Sequence, residues 1–242
     1  MKQAILNIIL SIVTSDRMIG GAAVELRASP RATRLRLKVD PRTRSVVLTV
    51  PRRISARRAL AWAEGHGDWI ARRLAELPAP TPVQADAIIP YRGTPHRLAW
   101  SPDRPRGVRL GDGEILIGGP AEGLSGRLLR WLRGQALALL TEETAEFSAK
   151  AGVKAAKIGV GDPVSRWGSC SSGGTIRYSW RLILAPDFVR RATVAHEVAH
   201  LVHLNHGPAF HDLVAALLGV DPRPARLWLR RHGASLHAVG RG

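Results

Sequence analysis

A histidine, a glutamate and a second histidine stand close together in the segment His196-Glu197-Val198-Ala199-His200. On a helix, residues four apart lie one above the other on the same face, so both imidazoles can reach one metal ion. The glutamate beside the first histidine projects toward a water on that ion and can take its proton. This spacing predicts a metal site that activates water for hydrolysis, with Glu197 as the general base.

Three later histidines are candidates for a third ligand, namely His203, His206 and His211. His203 lies on nearly the same helix stripe as His196, but it is about 10 Å further along the axis at about 1.5 Å per residue. Zinc–nitrogen bonds are only about 2.0–2.1 Å long, so ligands spread over that rise on one straight helix cannot converge. The third ligand must come from a part of the chain that has turned back.

His206 lies beside residues that break a helix. Asn205 tolerates left-handed backbone geometry, and the pair Gly207-Pro208 prevents a helix from continuing, so we expect the chain to bend here. The spacing from His200 to His206 also equals that between the second and third histidines of His-Glu-x-x-His-x-x-Gly-x-x-His metalloproteases. We therefore predict His206 as the third ligand, with His211, on the following helix, as the alternative.

Three imidazoles and an open fourth position are typical of catalytic zinc, so one zinc ion is the predicted cofactor. Structural zinc sites usually have four ligands and favour cysteine, and the chain has a single cysteine, Cys170. It lies among serine and glycine residues with no adjacent histidine to form a nucleophilic pair, so we interpret Cys170 as a small structural residue. Neutral imidazoles also suit other first-row metals, which leaves the identity of the metal open.

Alternating apolar and charged residues predict strands within residues 24–50. A helix is predicted from Ser55, a favoured N-cap residue, to Leu77, although Gly65 and Gly67 weaken its middle. The proline-rich segment Pro78–Pro82 is a stiff linker and the clearest internal boundary. With short strands expected at residues 88–100 and 108–117, these elements predict a β-rich N-terminal region with one helix at residues 23–120.

A long helix is predicted from Ser125 to Ala151, because leucines recur there at near-helical spacing and Gly152 is a suitable C-cap. Pro186 and Asp187 are expected to begin the helix that carries the chemistry. The remaining predictions are strands at Lys157–Val160 and Thr175–Leu184, a polar loop between them at Arg166–Gly174, and short helices near Ala209–Leu218 and Pro222–Arg231.

The formal net charge of +17 predicts weak association with polyanions such as nucleic acids, although arginine-rich helices often only decorate solvated faces. No nucleic-acid-binding motif accompanies the charge. A single cysteine fits a reducing compartment, so we expect a cytoplasmic protein.

The apolar run Ala4–Val13 is too short to span a bilayer, and no membrane partner is expected. We interpret residues 1–22 as a leader that is disordered or that arises from a mis-called start, with Met18 as a second start. An export signal and a membrane anchor are the alternatives, but no small-x-small cleavage site follows the run.

Four blocks of residues stand in order at Arg166–Cys170, Tyr178–Pro186, His196–His200 and Asn205–Phe210. Their order and spacing resemble the YgjP-like metallopeptidases, which are bacterial proteins related to the SprT-like zincins. The resemblance covers about residues 24–229.

The resemblance implies an α+β fold in which residues 121–236 form a zincin-like metallopeptidase domain, followed by a tail at residues 237–242. A mixed sheet would precede the metal-binding helix, zinc would be bound by the three predicted histidines, and Glu197 would be catalytic. The chain departs from the family at His211, where a tryptophan usually follows the phenylalanine of the last block. This departure affects either the packing or the wall of a substrate cleft.

The predicted activity is zinc-dependent cleavage of peptide bonds in a peptide or protein substrate by a metal-activated water. In zincins the strand before the metal helix commonly borders the cleft, so an edge strand could pair with a bound peptide. Arg166 and Tyr178 are therefore the candidate substrate-binding residues that would stabilise the oxyanion, with Ser179 and Arg181 also facing a bound chain.

A purely structural interpretation of this region stands beside the functional one. In it, Trp167 and Trp180 belong to the core and Arg166 is a buried hydrogen-bonding tie.

Two other functions share the same residues. A metal-dependent nucleotide pyrophosphohydrolase would use the basic charge to bind phosphates, although the chain has no Walker-type loop. A non-catalytic module that uses zinc for stability would instead bind nucleic acid in a salt-dependent manner without turnover.

Overall fold

The computed structural model describes residues 12–41 and 43–241. Two compact units divide the chain between Pro78 and Ala79. Both units combine helices with mixed sheets, and six α-helices lie within the described residues, so the predicted α+β class is confirmed. Of the predicted leader, residues 1–11 lie outside the described part of the chain, as does Gly242 of the predicted tail.

The first unit contains a four-stranded sheet in the order β1-β2-β4-β3. β2 and β4 are parallel at the centre, and β1 and β3 are antiparallel edge strands. Because β1 pairs with β2 from Ile19↔Ala22 to Ile12↔Arg27, the expectation of a disordered leader is wrong for this segment. The strands are β1 Ile12–Ile19, β2 Ala22–Ser29, β3 Arg36–Asp40 and β4 Ser45–Pro51.

The single helix predicted for residues 55–77 is two helices, α1 Ala56–Glu64 and α2 Gly67–Ala75. Glycine has a high entropic cost in a helix, and the backbone leaves helical geometry at His66, between Gly65 and Gly67. The predicted N-cap is confirmed, because the Ser55 hydroxyl accepts a hydrogen bond from the backbone N–H of Arg58 at 3.3 Å. Apolar side chains of both helices join the buried core of this unit.

The second unit begins with another four-stranded sheet, in the order β5-β6-β8-β7. Its strand directions repeat those of the first unit, with a parallel central pair and antiparallel edges, and a helix again follows the last strand. The sequence shows no corresponding repeat. The elements are β5 Ile88–Tyr91, β6 Thr94–Ser101, β7 Val108–Leu110, β8 Glu114–Gly118 and α3 Leu124–Lys150.

Residues 79–120 pack with the C-terminal elements, although the sequence had grouped them with the N-terminal region. The turn between β5 and β6 explains this grouping, because the N–H groups of Arg92 and Gly93 donate to the carbonyls of Ile183 and Leu184 at 2.7 and 3.1 Å. A Cβ atom on Gly93 would lie 2.7 Å from the Cα of Pro186. Contacts thus divide the chain inside the predicted linker, not at residue 120.

A three-stranded mixed sheet lies before the metal helix, in the order β10-β11-β9. Its strands are β9 Lys157–Gly161, β10 Gly168–Cys170 and β11 Thr175–Ser179. The strand predicted for residues 175–184 is too long, because Ser179 begins a 3-10 helix at Trp180–Leu184 and its hydroxyl accepts from the N–H of Arg181. The loop predicted for residues 166–174 contains β10.

The last helices are α4 Asp187–Ala199, α5 Pro208–Leu218 and α6 Arg223–Ala238. α6 continues past the predicted end at Arg231 into the predicted tail, because the carbonyls of Leu236 and Val239 accept hydrogen bonds from the buried Arg181 guanidinium. Within the described part of the chain, no helix is both long enough and apolar enough to cross a membrane.

Candidate metal centre

Helix α4 presents the first two histidines from its last turn. The helix ends at Ala199, and His200 is its C-cap residue. The rings of His196 and His200 are 5.0 Å apart between centroids, which confirms that the i, i+4 spacing places them on one face. The backbone of His203 still bonds to the carbonyl of Ala199 at 2.9 Å before the chain leaves the helix.

The chain then turns back and brings His206 to the other two histidines. Gly207 is the extended N-cap of α5 and Pro208 occupies its first turn, so these two residues begin a new helix as their types predict. Asn205 does not adopt the left-handed backbone that its residue type allowed. The His206 ring lies 4.6 Å from the His200 ring between centroids.

The three imidazoles fit a zinc ion. One ligand nitrogen from each of His196, His200 and His206 lies within 4.8 Å of the others. The Nε2 atoms of His196 and His206 are 3.3 Å apart, and two nitrogens of a tetrahedral site at about 2.0–2.1 Å from an ion are about 3.3–3.4 Å apart. This set of donors would hold zinc with a fourth position left open.

Neighbouring groups orient the rings. The Nδ1–H of His200 donates to the carbonyl oxygen of His203 at 3.0 Å, which leaves its Nε2 unprotonated and free to bind a metal. Phe210, which is buried on α5, contacts all three rings at centroid distances of 4.5–4.9 Å. His203 therefore contributes through its carbonyl group, as a support for a ligand.

The environment favours the neutral form of two of these imidazoles, His196 and His206. Burial, together with smaller contributions from the neighbouring His200 and His206, lowers the pKa of His196 to about 4. The pKa of His206 is lowered by the same two causes, with His200 and His211 as the neighbours. Neutral imidazole is the form that binds metals, so the cluster is prepared for an ion at neutral pH.

Glu197 lies beside His196 on α4 and is 5% exposed. Burial raises the pKa of its carboxyl to about 7, and the positive charge of Arg166 partly opposes that rise. A general base works best when its pKa is near the working pH, because it can then both accept and return a proton. No other carboxylate lines the cavity next to the histidines, within the described residues.

Arg166 is exposed and lines a cavity of about 270 Å³ together with His196 and Glu197. It is not the buried tie that the structural interpretation proposed. Trp167, which follows it, is half-buried and also lines this cavity, whereas Trp180 is buried in the core. Of the two candidate substrate-binding residues, Arg166 is therefore the one beside the predicted base.

Tyr178 lies elsewhere. It is 1% exposed, and its hydroxyl shares a hydrogen bond of 2.9 Å with Thr144 Oγ1 on α3. Burial also raises the pKa of Tyr178 well above its usual value. These contacts do not support the predicted oxyanion role of Tyr178, because Tyr178 and Ile176 lie on the face of β11 that packs into the core.

Arg181 and Ser179 are also not cleft residues, because both are buried. The Arg181 guanidinium donates to Asp162 at 2.7 Å and to two carbonyls at the end of α6, which makes it a structural tie. The fallback ligand His211 is not part of the histidine cluster, but it is exposed and lines the cavity. The family departure at this position therefore changes a cavity wall.

Cys170 is half-buried at the end of β10. Burial and the nearby Glu197 charge raise the pKa of its thiol, so the thiol form predominates at neutral pH. This agrees with a structural role.

Three residues of the site carried no signal of their own in the sequence. Gly168 gives Glu197 its space, Phe210 supports the histidine rings and Arg226 of α6 lines the cavity. Gly168 and Phe210 did fall inside the blocks that resemble the metallopeptidases. Arg226 comes from an arginine-rich helix in which no spacing distinguishes it from its neighbours.

The comparisons with known proteins agree with this arrangement. A family model described as the YgjP-like metallopeptidase domain matches residues 33–232, which include the whole histidine cluster. No curated protein and no solved structure matches the chain.

Proposed function

Because this chain belongs to the YgjP-like metallopeptidase family, we propose that it is a zinc-dependent peptidase that hydrolyses peptide bonds in a peptide or protein substrate. The observation that carries the proposal is the convergence of His196, His200 and His206 beside the buried Glu197. The zincin-like character of residues 121–236 and the cytoplasmic location are part of the same proposal.

Zinc, when bound by the three histidines, would supply a Lewis acid that activates water and polarises the scissile carbonyl. Glu197 accepts a proton from the attacking water as the water oxygen bonds to the carbonyl carbon. The same carboxyl then returns the proton to the amide nitrogen, which leaves as an amine when the carbon–nitrogen bond breaks. A pKa of about 7 suits both transfers. Arg166 is kept as the substrate-binding residue.

The test combines metal analysis with a peptide library, using purified protein loaded with zinc. The wild-type chain is expected to hold one zinc per chain and to cleave peptides. His206→Ala should lose most of the zinc, since losing even a group that only supports a ligand typically costs about 10–100-fold in affinity. Glu197→Gln should keep zinc and lose turnover. His211→Ala is the matched control and should keep zinc.

A variant Glu197→Gln that still turns over substrate would remove the proposed base. Equal zinc content in wild type and His206→Ala would remove the proposed ligand set.

A nucleotide pyrophosphohydrolase is the second candidate, favoured by two exposed arginines, Arg166 and Arg226, at the cavity beside Glu197. Phosphoryl hydrolysis needs cationic groups of this kind. A panel of nucleoside triphosphates assayed beside the peptides separates the two, because pyrophosphate or phosphate release without peptide cleavage would assign the second activity.

The non-catalytic nucleic-acid module stays a prediction from the net charge. It requires zinc-dependent folding and salt-dependent binding to DNA or RNA without any hydrolysis, and weak polyanion association can be measured in the same titration.

A further inference from the structure

The cavity beside Glu197 has apolar walls. It has a volume of about 270 Å³ and is lined by residues of α4, α5, α6 and the segment that leads into β10. This is below the roughly 300–1,000 Å³ of pockets that hold a whole drug-sized ligand, so it suits one amino-acid side chain. The apolar walls are formed by Trp167, Ala192, Val214, Pro222, Ala225 and Leu229.

Two arginines border the same cavity. Arg166 precedes Trp167, and Arg226 follows Ala225 on α6. Both are exposed, and neither guanidinium forms a hydrogen bond or an ion pair with any residue that the structure describes. In contrast, Arg190 and Arg191 of the neighbouring α4 are both held by carboxylates. Two guanidiniums with their donors unused beside an apolar cavity are suited to a carboxylate.

Both arginines lie near the reacting groups, because Arg166 and Arg226 line the same cavity as His196 and Glu197. An anion bound by these two arginines would therefore lie near the bond that is hydrolysed.

We propose that this cavity binds the C-terminal residue of a peptide substrate, with an apolar side chain inside it and the free α-carboxylate on Arg166 and Arg226. The inference rests on the proposed peptidase function and specifies its substrate class. Successive side chains of an extended peptide point in opposite directions, so an acidic side chain next to the apolar one would point away from the cavity. A terminal carboxylate shares its Cα atom with the apolar side chain and has no such difficulty.

In this reaction the oxygen of water bonds to the carbonyl carbon of the penultimate residue. The bond from that carbon to the nitrogen of the last residue breaks, and the nitrogen takes the proton that Glu197 carries. The products are a peptide shortened by one residue and a free apolar amino acid.

The test measures binding, so that it does not depend on turnover. The full chain with Glu197→Gln, loaded with zinc, is titrated against a fluorescent peptide that ends in leucine, either as the free acid or as the C-terminal amide. Fluorescence polarisation should show about tenfold weaker binding of the amide, as expected for the loss of a charge-assisted interaction. Adding Arg226→Gln or Arg166→Gln should remove most of that difference.

Arg231→Gln is the matched control, because Arg231 is an exposed arginine of α6 that does not line the cavity. It should keep the tenfold preference. Ala225→Leu should fill the cavity and weaken the binding of the leucine peptide more than the binding of a peptide that ends in glycine.

Equal binding of acid and amide would overturn the proposal. So would a preference that persists in both arginine variants, because the carboxylate would then be bound by zinc. The assignment to the terminal carboxylate would be overturned if an amidated peptide with an aspartate before the leucine bound as well as the free acid. The site would be assigned to phosphates if a nucleoside triphosphate, but not free acids, displaced the peptide. Wild-type cleavage of the same peptides is scored separately, so a chain that shows the preference without cleavage contradicts only the peptidase proposal.

Discussion

Gly168 leaves the space that the side chain of Glu197 occupies. A Cβ atom built on Gly168 would lie 2.4 Å from Oε1 and 2.6 Å from Cγ of Glu197, which are distances that real Cβ atoms do not reach. Gly168 is the first residue of the edge strand β10, and Glu197 is on α4. The position of the proposed base is therefore determined by a residue of another element that has no side chain.

Gly168→Ala is expected to displace the carboxylate of Glu197 and lower kcat by about 100-fold, the effect typical of a misplaced catalytic group. The three atoms nearest to the added Cβ all belong to Glu197 and none to a histidine, so zinc content should stay at the wild-type level. Peptide cleavage and zinc analysis on the same preparation check both statements.

Gly159→Ala is the matched control, because Gly159 lies in β9 of the same sheet and a Cβ there meets nothing within 4 Å. It should keep wild-type kcat. Full activity in Gly168→Ala would mean that Glu197 has another productive position.

The metal site could be predicted from the sequence because its three ligands lie close together in the chain. His196 and His200 are four residues apart on a helix, and Gly207-Pro208 forces a new helix to start, so eleven residues of chain contain the whole ligand set. The prediction that His206 turns back toward the other two follows from the same short segment.

The rest of the site depends on contacts between residues far apart in sequence. Gly168 meets Glu197 across 29 positions, and Arg226 of α6 reaches the same cavity from still further along the chain. No local pattern encodes such a meeting. The assignment of residues 79–120 failed for this reason, because the β5–β6 turn bonds to carbonyls about 90 residues later.

The sequence also did not show which side of a strand faces the core. Tyr178 in β11 could have faced a cleft or the core by its spacing, and it is buried with its hydroxyl on Thr144. We expect Tyr178→Phe to lower the free energy of unfolding by about 1 kcal/mol, since Thr144 keeps a second bond to the Leu140 carbonyl. Activity should be unchanged. Chemical denaturation and kcat/KM check the two parts, and a lost activity with unchanged stability would restore the oxyanion role.

A buried ion pair holds the metal helix to α3. The Arg190 guanidinium is 1% exposed and donates to both oxygens of Glu143 at 3.0 and 2.8 Å. Arg190→Met should leave the buried Glu143 carboxylate with only the longer ion pair to Arg191 at 3.9 Å and cost about 3–5 kcal/mol of stability. The double variant Arg190→Met with Glu143→Gln should recover part of that loss, because no buried carboxylate then lacks its main partner. Thermal unfolding compares the three proteins, and additive losses in the double variant would show that the two groups are not coupled.

Two partly exposed carboxylates should make the C-terminal unit sensitive to acid. Hydrogen bonds from Arg92 and then Arg190 lower the pKa of Asp187 to about 2, and bonds from Arg191 and then Lys150 lower that of Glu146 to about 2. A carboxyl with a lower pKa in the folded state stabilises the fold above its unfolded pKa, near 4. That contribution is lost as the pH falls toward 2.

Asp187→Asn should therefore lower Tm at pH 6 and differ little from wild type at pH 2. Glu142→Gln is the control on α3, because Glu142 forms no ion pair with any described residue. Parallel Tm curves for wild type and Asp187→Asn across this range would contradict the linkage.

Replacing either of two helical glycines by alanine should change the stability of the fold, but in opposite directions. Gly134 is exposed within α3, and a Cβ there meets nothing within 4 Å, so Gly134→Ala should stabilise the fold by about 0.5–1 kcal/mol through helix propensity.

Gly233 of α6 is buried, and a Cβ there would lie 2.8 Å from Cζ2 of Trp167. Trp167 is stacked on His237 at 5.0 Å between centroids and has little room to move. Gly233→Ala should cost about 1–3 kcal/mol by overpacking. Because Trp167 is a wall of the cavity, this variant should also raise KM for peptides that end in an apolar residue more than it lowers kcat. Chemical denaturation of both variants, with steady-state kinetics on the second, checks the pair, and a stabilised Gly233→Ala with unchanged KM would show that Trp167 can move without consequence for the site.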